Sequence, residues 1–287
     1  MKATFWGVRG SIPVSGKKYV RYGGSTLCTE VRLDSGEYLI LDAGTGIRPL
    51  GVKLMKENRV LHMHLLLSHG HMDHVQGFPF FAPAYINKND ITIYGCPQAP
   101  GRTVADFLSR QMGDVYFPVE FDGLPARREY VNHCNICGKN DSIKIGRARI
   151  FSLGNNHPGG SISYKIVEKK KSFIYMTDNE LGSDAPDATA METFAEFCKN
   201  ADILVHDAQY TPREYATRTR GWGHSTYEQC AHLAAMAQVK TLVLFHHDPE
   251  HDDRAVDAIL DKTRILLKKM GSRARCVSAR EGMSLTL

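Results

Sequence analysis

Apolar and polar positions divide the chain into short blocks that alternate between strand-like and helix-like periods. Residues 3–8 predict an opening strand, and the glycines and proline of residues 7–13 break it. Two more apolar runs, 26–33 and 37–41, are joined by the turn Asp34-Ser35-Gly36 and predict a hairpin. A short helix is expected over 47–57, and the unbroken apolar run 61–67 has the pattern of a buried strand. Strand 91–94 and a helical stretch at 101–112 follow. Strands return at 142–145, 148–153, 161–167 and 172–176, ahead of a helix over 188–199 and strand 203–205. The S-x-x-E pattern of Ser225-Thr226-Tyr227-Glu228 predicts the capping box of a helix reaching about residue 238. Strand 242–245 comes next. Asp252 or Asp253 caps the last helix, whose apolar positions Val256, Ile259, Leu260, Ile265, Leu266, Leu267 and Met270 recur at helical spacing until Gly271. Two strand-rich stretches, each followed by helices, predict an α/β protein with two sheets packed face to face and helices outside, a four-layer αββα sandwich. A single domain over residues 1–287 is expected, with 113–138 as a candidate lid or dimer contact.

Composition leaves that picture unchanged and narrows the partners. The 287 residues are 43% hydrophobic and 23% charged, ordinary for a globular chain. The net charge of +5 is mild, and its Lys and Arg residues are dispersed. That suits a small anionic substrate and does not favour a nucleic-acid stripe, although nucleic acid stays open as a partner. No apolar run approaches the roughly 18 residues of a membrane span, and the first residues lack the apolar core of a signal peptide, so a cytoplasmic protein is expected. Seven scattered cysteines point to free thiols in a reducing compartment. Cys134 and Cys137 form a C-x-x-C, with His133 beside it, and no second pair completes a zinc pattern.

The chemistry gathers on Ser68-His69-Gly70-His71-Met72-Asp73-His74, directly after the apolar run 61–67. Imidazole nitrogen and carboxylate oxygen are ligands that suit zinc and its first-row neighbours. The loop at the C-terminal end of a strand is the usual address for such a site. Other strand ends add His157 in Asn155-Asn156-His157-Pro158, Asp178 in Met176-Thr177-Asp178-Asn179, and His246 or His247 in Phe245-His246-His247-Asp248. Together with His69, His71, Asp73 and His74 these make seven donors, enough for two metals sharing one carboxylate.

The order H-x-H-x-D-H … H … D … H resembles the metallo-β-lactamase superfamily over nearly the whole chain. The resemblance implies the αββα sandwich and two divalent ions, zinc first, with manganese or iron accepted by the same donors. It implies that His69, His71 and His157 hold one ion, that Asp73, His74 and His246 hold the other, and that Asp178 bridges. His247 is the alternative to His246. Asp42, in Asp42-Ala43-Gly44-Thr45-Gly46, would brace the metal loop. His62 and His64 are expected to pack or support rather than ligate. Arg9, Ser11 and the loop Gly23-Gly24-Ser25 are either substrate contacts or a structural turn.

Within the superfamily, His206-Asp207-Ala208-Gln209-Tyr210 and Gly223-His224-Ser225-Thr226 resemble signatures of ribonuclease Z and its phosphodiesterase relatives, with Asp207 where the family has glutamate. The likeness implies a metal-dependent phosphodiesterase in which a metal-bridging hydroxide attacks phosphorus. Asp73 orients the nucleophile, and His224, held by Asp207, helps the leaving alkoxide. The helix start after His224 is expected to offer free N–H groups to a phosphate. Ribonuclease Z carries a long insertion between the third His motif and the bridging Asp. Here His157 and Asp178 are 21 positions apart, which leaves no room for that arm. A cyclic nucleotide is therefore the leading substrate. The alternatives are a ribonuclease Z-like RNA-processing endonuclease and a thiolester or lactone hydrolase. A homodimer is implied by resemblance to this branch.

Overall fold

The computed structural model describes residues 1–97, 102–132 and 142–287. Cys134, Cys137 and His133 of the C-x-x-C stretch lie outside the described residues. The chain divides into two compact units. One comprises Met1–Val14, Gly23–Cys134 and Arg280–Thr286, and the other comprises Ser15–Tyr22, Asn135–Ala279 and Leu287.

The first unit is built on a seven-stranded mixed sheet. The strands β1 (Lys2–Gly7), β2 (Cys28–Arg32) and β3 (Tyr38–Leu41) run antiparallel, and the closing strand Ser284–Thr286 pairs with the outer edge of β1. Helix α1 (Ile47–Met55) then carries the chain over to β4 (His62–Leu66), which runs parallel to β3. A short helix α2 (Met72–Val75) leads on towards β5 (Asp90–Gly95), and α3 (Asp106–Ser109) towards β6 (Arg127–Asn132), with both added strands parallel. Ile47, Leu50 and Leu54 recur on one helical face and pack with Ile40, Leu65, Ile93, Phe78 and Phe81 in one apolar cluster.

The second unit repeats the scheme. An antiparallel meander β7 (Ile143–Ile145), β8 (Ala148–Gly154), β9 (Ile162–Glu168) and β10 (Lys171–Met176) is extended by three parallel strands. These are β11 (Ile203–Asp207), β12 (Thr241–Phe245) and β13 (Arg275–Ser278). Helix α4 (Met191–Cys198) crosses from β10 to β11. A short helix α5 (Pro212–Glu214) and then α6 (Tyr227–Met236) lie between β11 and β12, and α7 (Asp253–Lys269) links β12 to β13. Phe194, Cys230, Ala234, Ile259 and Leu267 from these helices close over Ile174, Leu204 and Leu242 of the sheet.

Several elements depart from the sequence-based expectation. Strand β6 falls in the stretch that predicted no element, and its residues RREYVN are mostly exposed or half-buried. It joins the sheet through backbone pairing with β5 rather than through an apolar face. The helix expected over 101–112 is α-helical only at Asp106–Ser109 among the described residues. The cap of α6 is Thr226, whose hydroxyl accepts from the Gln229 N–H while Gln229 Oε1 accepts from the Thr226 N–H. The S-x-x-E frame is thus displaced by one residue. For α7 the cap is Asp252, which accepts from the N–H groups of Arg254 and Ala255. Cys28, Cys198, Cys230 and Cys276 are buried free thiols, whereas Cys96 is disulfide-bonded, contrary to the reading of all seven as free.

Phe194 is fully buried, so Phe194→Ala should lower unfolding free energy by about 3–5 kcal/mol in urea titrations. Ile265→Ser, at a position on α7 that is 55% exposed, should stay within about 0.5 kcal/mol of the parent in the same titration.

Candidate metal centre

In the first unit the metal-type residues follow from where β3 and β4 end. The backbone turns at Asp42 into the left-handed region (φ 61°), which aims its carboxylate at the loop after β4. Fully buried, Asp42 accepts from the Ser68 N–H (2.8 Å) and the Ser68 hydroxyl (3.0 Å), and its Oδ2 lies 2.8 Å from His74 Nδ1. A carboxylate on Nδ1 keeps the proton there and leaves Nε2 as the donor nitrogen. That atom lies 3.5 Å from Asp73 Oδ2. The same Asp73 oxygen accepts the N–H of Ser11, itself at φ 64°. The rings of His69 and His71 are 4.4 Å apart and those of His69 and His74 are 4.1 Å apart, so the three imidazoles form one knot. Gly70 permits it: a Cβ there would sit 2.8 Å from the Phe107 ring, which packs onto the loop.

The neighbouring candidates resolve into supports. Arg9 is fully buried and donates from Nε to the Gly23 carbonyl, so it braces the Gly23 loop. His62 is an exposed partner of Asp90, and His64 bonds the Tyr94 hydroxyl, with burial holding its pKa below the usual histidine value.

In the second unit β10, β11 and β12 end side by side, and each delivers chemistry at its C-terminal end. Asp178 (φ 55°) and His246 (φ 55°) both follow their strands in left-handed conformation. Asp178 Oδ1 lies 3.3 Å from His246 Nε2, and its Oδ2 accepts from the Thr177 hydroxyl. His157, in the turn after β8, points Nδ1 at the Gly223 carbonyl (3.1 Å), which assigns Nε2 as its ligand nitrogen. His157, Asp178 and His224 each offer a ligand atom within 4.8 Å of the others. His247 turns away: its Nε2 bonds the Ala279 carbonyl and its ring meets Tyr22 edge-on.

Asp207, at the end of β11, is fully buried and lies 3.0 Å from His224 Nδ1. It also accepts the N–H groups of Asn179 and Ser225. Burial pushes its pKa up, but hydrogen bonds and charge from His206 and His224 outweigh burial and bring it down to about 2. An ionised Asp207 at Nδ1 leaves His224 Nε2 as the nitrogen able to exchange a proton. The His224 ring stacks on His246 at 4.8 Å.

The helix start behind His224 does not behave as expected. The Ser225 N–H goes to Asp207, that of Thr226 to Gln229, that of Tyr227 to the Tyr210 carbonyl and that of Gln229 to Thr226. These donors are held within the protein, so the phosphate cradle read from the sequence is not formed by them.

Glu180 was missed by sequence reasoning. Its buried carboxylate accepts from the Tyr215 hydroxyl (2.6 Å) and from the N–H groups of Gly221 (2.8 Å) and Gly223 (3.0 Å), fixing the loop that carries His224. Gly223 has φ 87°, and a Cβ on it would lie 2.0 Å from His157 Nδ1. Glycine is required there on both counts. The alternating glycines of Gly221-Trp222-Gly223-His224 were the available sign of a specially shaped loop.

The donor set fits divalent metal: imidazoles, several with one nitrogen fixed by a carboxylate or carbonyl, beside the buried carboxylates Asp73 and Asp178 match first-row ions better than calcium or magnesium. Compared with known proteins, residues 38–247 match the beta-lactamase superfamily domain. A ribonuclease Z of Thermoplasma acidophilum is 23% identical over 235 residues, covering 67% of this chain and 71% of the relative. Among solved structures, the metallo-beta-lactamase fold protein YhfI of Bacillus subtilis superposes with a TM-score of 0.69 at 17% identity, over 99% of this chain and 98% of its own. Yeast PDE1 superposes with a TM-score of 0.68 at 15% identity, over 100% and 99%. These two likenesses carry the fold, and the expected α/β sandwich class holds.

Glu180→Ala should leave buried donors of the Gly221–Gly223 loop unsatisfied and cost about 2–5 kcal/mol of unfolding free energy. Urea titration measures the loss, and a change below about 0.5 kcal/mol would contradict the clamp.

Proposed function

The chain belongs to the beta-lactamase superfamily and is a metal-dependent hydrolase; from that premise we propose that it cleaves a small phosphodiester, foremost a cyclic nucleotide. The observation that carries this reading is the pair formed by Asp207 and His224, with His224 3.9 Å from Asp178. His69, His71 and His157 would hold one divalent ion, and Asp73, His74 and His246 the other, with Asp178 shared. Zinc is the first expectation, with manganese or iron next. Two such ions supply Lewis acidity to a phosphoryl group and make water nucleophilic at neutral pH.

The chain's own residues do the rest. Asp207 holds the His224 ring and its tautomer, and His224 delivers a proton from Nε2 to the departing alkoxide oxygen. Asp73, fixed by the Ser11 N–H, orients the attacking water. Buried Asp42 keeps His74 from rotating.

A second reading, an RNA-processing endonuclease, draws on the ribonuclease Z relative. The segment between His157 and Asp178 speaks for the smaller substrate, because it contains only β9, a tight turn and β10. The proposal includes a homodimer, with residues 113–138 as lid or contact, of which 133–138 lie outside the described residues; Val115 and Tyr116 are about four-fifths exposed. It also includes a cytoplasmic location. Among the described residues no helix is long and apolar enough to cross a membrane.

His71→Ala and Asp178→Ala should lose both bound metal and hydrolysis of bis-p-nitrophenyl phosphate. His224→Ala should keep its metal while kcat falls by about 10²–10⁴. A panel of 3′,5′- and 2′,3′-cyclic nucleotides, dinucleotides, pre-tRNA and thioesters identifies the substrate. Metal-loaded protein that ignores every phosphodiester but cleaves thioesters would sink the proposal.

A further inference from the structure

Alongside His71 the first unit has an open cleft of about 820 Å³, within the usual range for small-molecule sites. Its walls carry two exposed aromatic rings, Phe80 at 58% and Tyr116 at 80%. Single exposed apolar residues are ordinary, but two aromatics on the walls of one concavity are not. Phe80 is held by an edge contact to Phe117 (5.4 Å between centroids), so its ring is oriented rather than free-swinging.

Charge gives the second clue. Arg102 and Arg110 both line the cleft, and both address the one carboxylate of Asp106, at 3.8 and 3.6 Å. Two guanidiniums sharing one carboxylate leave a net positive charge, and neither contact is close enough to be a hydrogen bond. Guanidinium forks present planar donors suited to phosphate oxygens and to the acceptor edge of a base. Phe107, from the same wall, packs on Gly70 within the metal-type motif. A ligand seated in the cleft is thereby held in register with His71.

We propose that this cleft binds the nucleobase end of the substrate, with the base stacked on Phe80 and Tyr116 and its polar edge or a second phosphate facing Arg102 and Arg110. The assignment rests on the phosphodiester reading and specifies what the non-reacting part of that diester is. Stacking suits any base, since every base has a π-face, so the cleft selects nucleotides as a class over diesters that lack a base.

The test uses the full-length, metal-loaded protein and the double variant Phe80→Ala/Tyr116→Ala. Both side chains are largely exposed, and thermal melting checks that the variant folds. Two readouts are compared: the Kd for 5′-AMP by calorimetry, and the ratio of kcat/KM for 3′,5′-cyclic AMP to that for methyl p-nitrophenyl phosphate, which has no base. The variant should weaken AMP binding about tenfold or more and lower the ratio by a similar factor, mainly through KM. An unchanged Kd and an unchanged ratio in a folded variant would overturn the assignment, as would equal losses on both diesters with AMP binding intact. Parent protein that hydrolyses no diester but binds AMP, with binding lost in the variant, would overturn the phosphodiester reading and support the base site.

Discussion

The first unit's chemistry depends on one buried carboxylate. Asp42 has no access to water, so its charge must be compensated within the protein, and Ser68 and His74 supply that compensation. The arrangement is reciprocal. The carboxylate fixes the first residue of the His-rich loop and one of its last imidazoles, and the loop in turn supplies the carboxylate with its hydrogen-bond partners. The Ala43 N–H bonds the His74 carbonyl and the Gly77 N–H bonds the Ala43 carbonyl, so the backbone on both sides of the brace moves with it. Asp207 stands in the same relation to the second unit, where one buried carboxylate joins His224, Asn179 and Ser225.

Both units reach this state by the same construction. Antiparallel strands start each sheet, parallel strands finish it, and most of the reactive side chains emerge where parallel-paired strands end, with His157 after antiparallel β8 as the exception. Parallel pairing requires a crossover, and the crossover helices provide the apolar cover that keeps Ile174, Leu204 and Leu242 dry beneath a highly polar rim. A polar rim on a dry floor explains how so many imidazoles and carboxylates can be buried together. Each has a fixed partner at the strand end while the strand itself carries the hydrophobic stabilisation.

What could be read from the sequence follows the distance over which each feature is encoded. His69, His71, Asp73 and His74 announce themselves because four donors fall in six consecutive residues, and β4 is a plain apolar run before them. His157, Asp178 and His246 were visible because each ends an apolar segment. Glu180 was not, since its partners Tyr215, Gly221 and Gly223 lie 35 to 43 positions away. Thr226 was passed over because Ser225-Thr226-Tyr227-Glu228-Gln229 satisfies a capping box in two frames. What decides between them is tertiary: the Ser225 hydroxyl already donates to the Asn179 carbonyl and accepts from Leu181. Strand β6 escaped because an exposed edge strand needs no apolar alternation, only a neighbour with open backbone groups.

Asp42, Asp178 and His246 share a backbone feature with a consequence of a different kind. All three hold left-handed dihedrals without being glycine, a conformation that costs about 1–3 kcal/mol at each position. Glycine, or asparagine at lower cost, would relax all three turns. Lys169 and Gln238 hold the same dihedrals away from the donor set, so a screen selecting only for heat tolerance would gain there, whereas glycine at Asp42 would also strip the buried Ser68 and His74 of their partner. At Asp42 and Asp178 the side chain that holds the strained turn is also bonded to its neighbours, so the torsional cost there is kept by the same contacts that fix the donors.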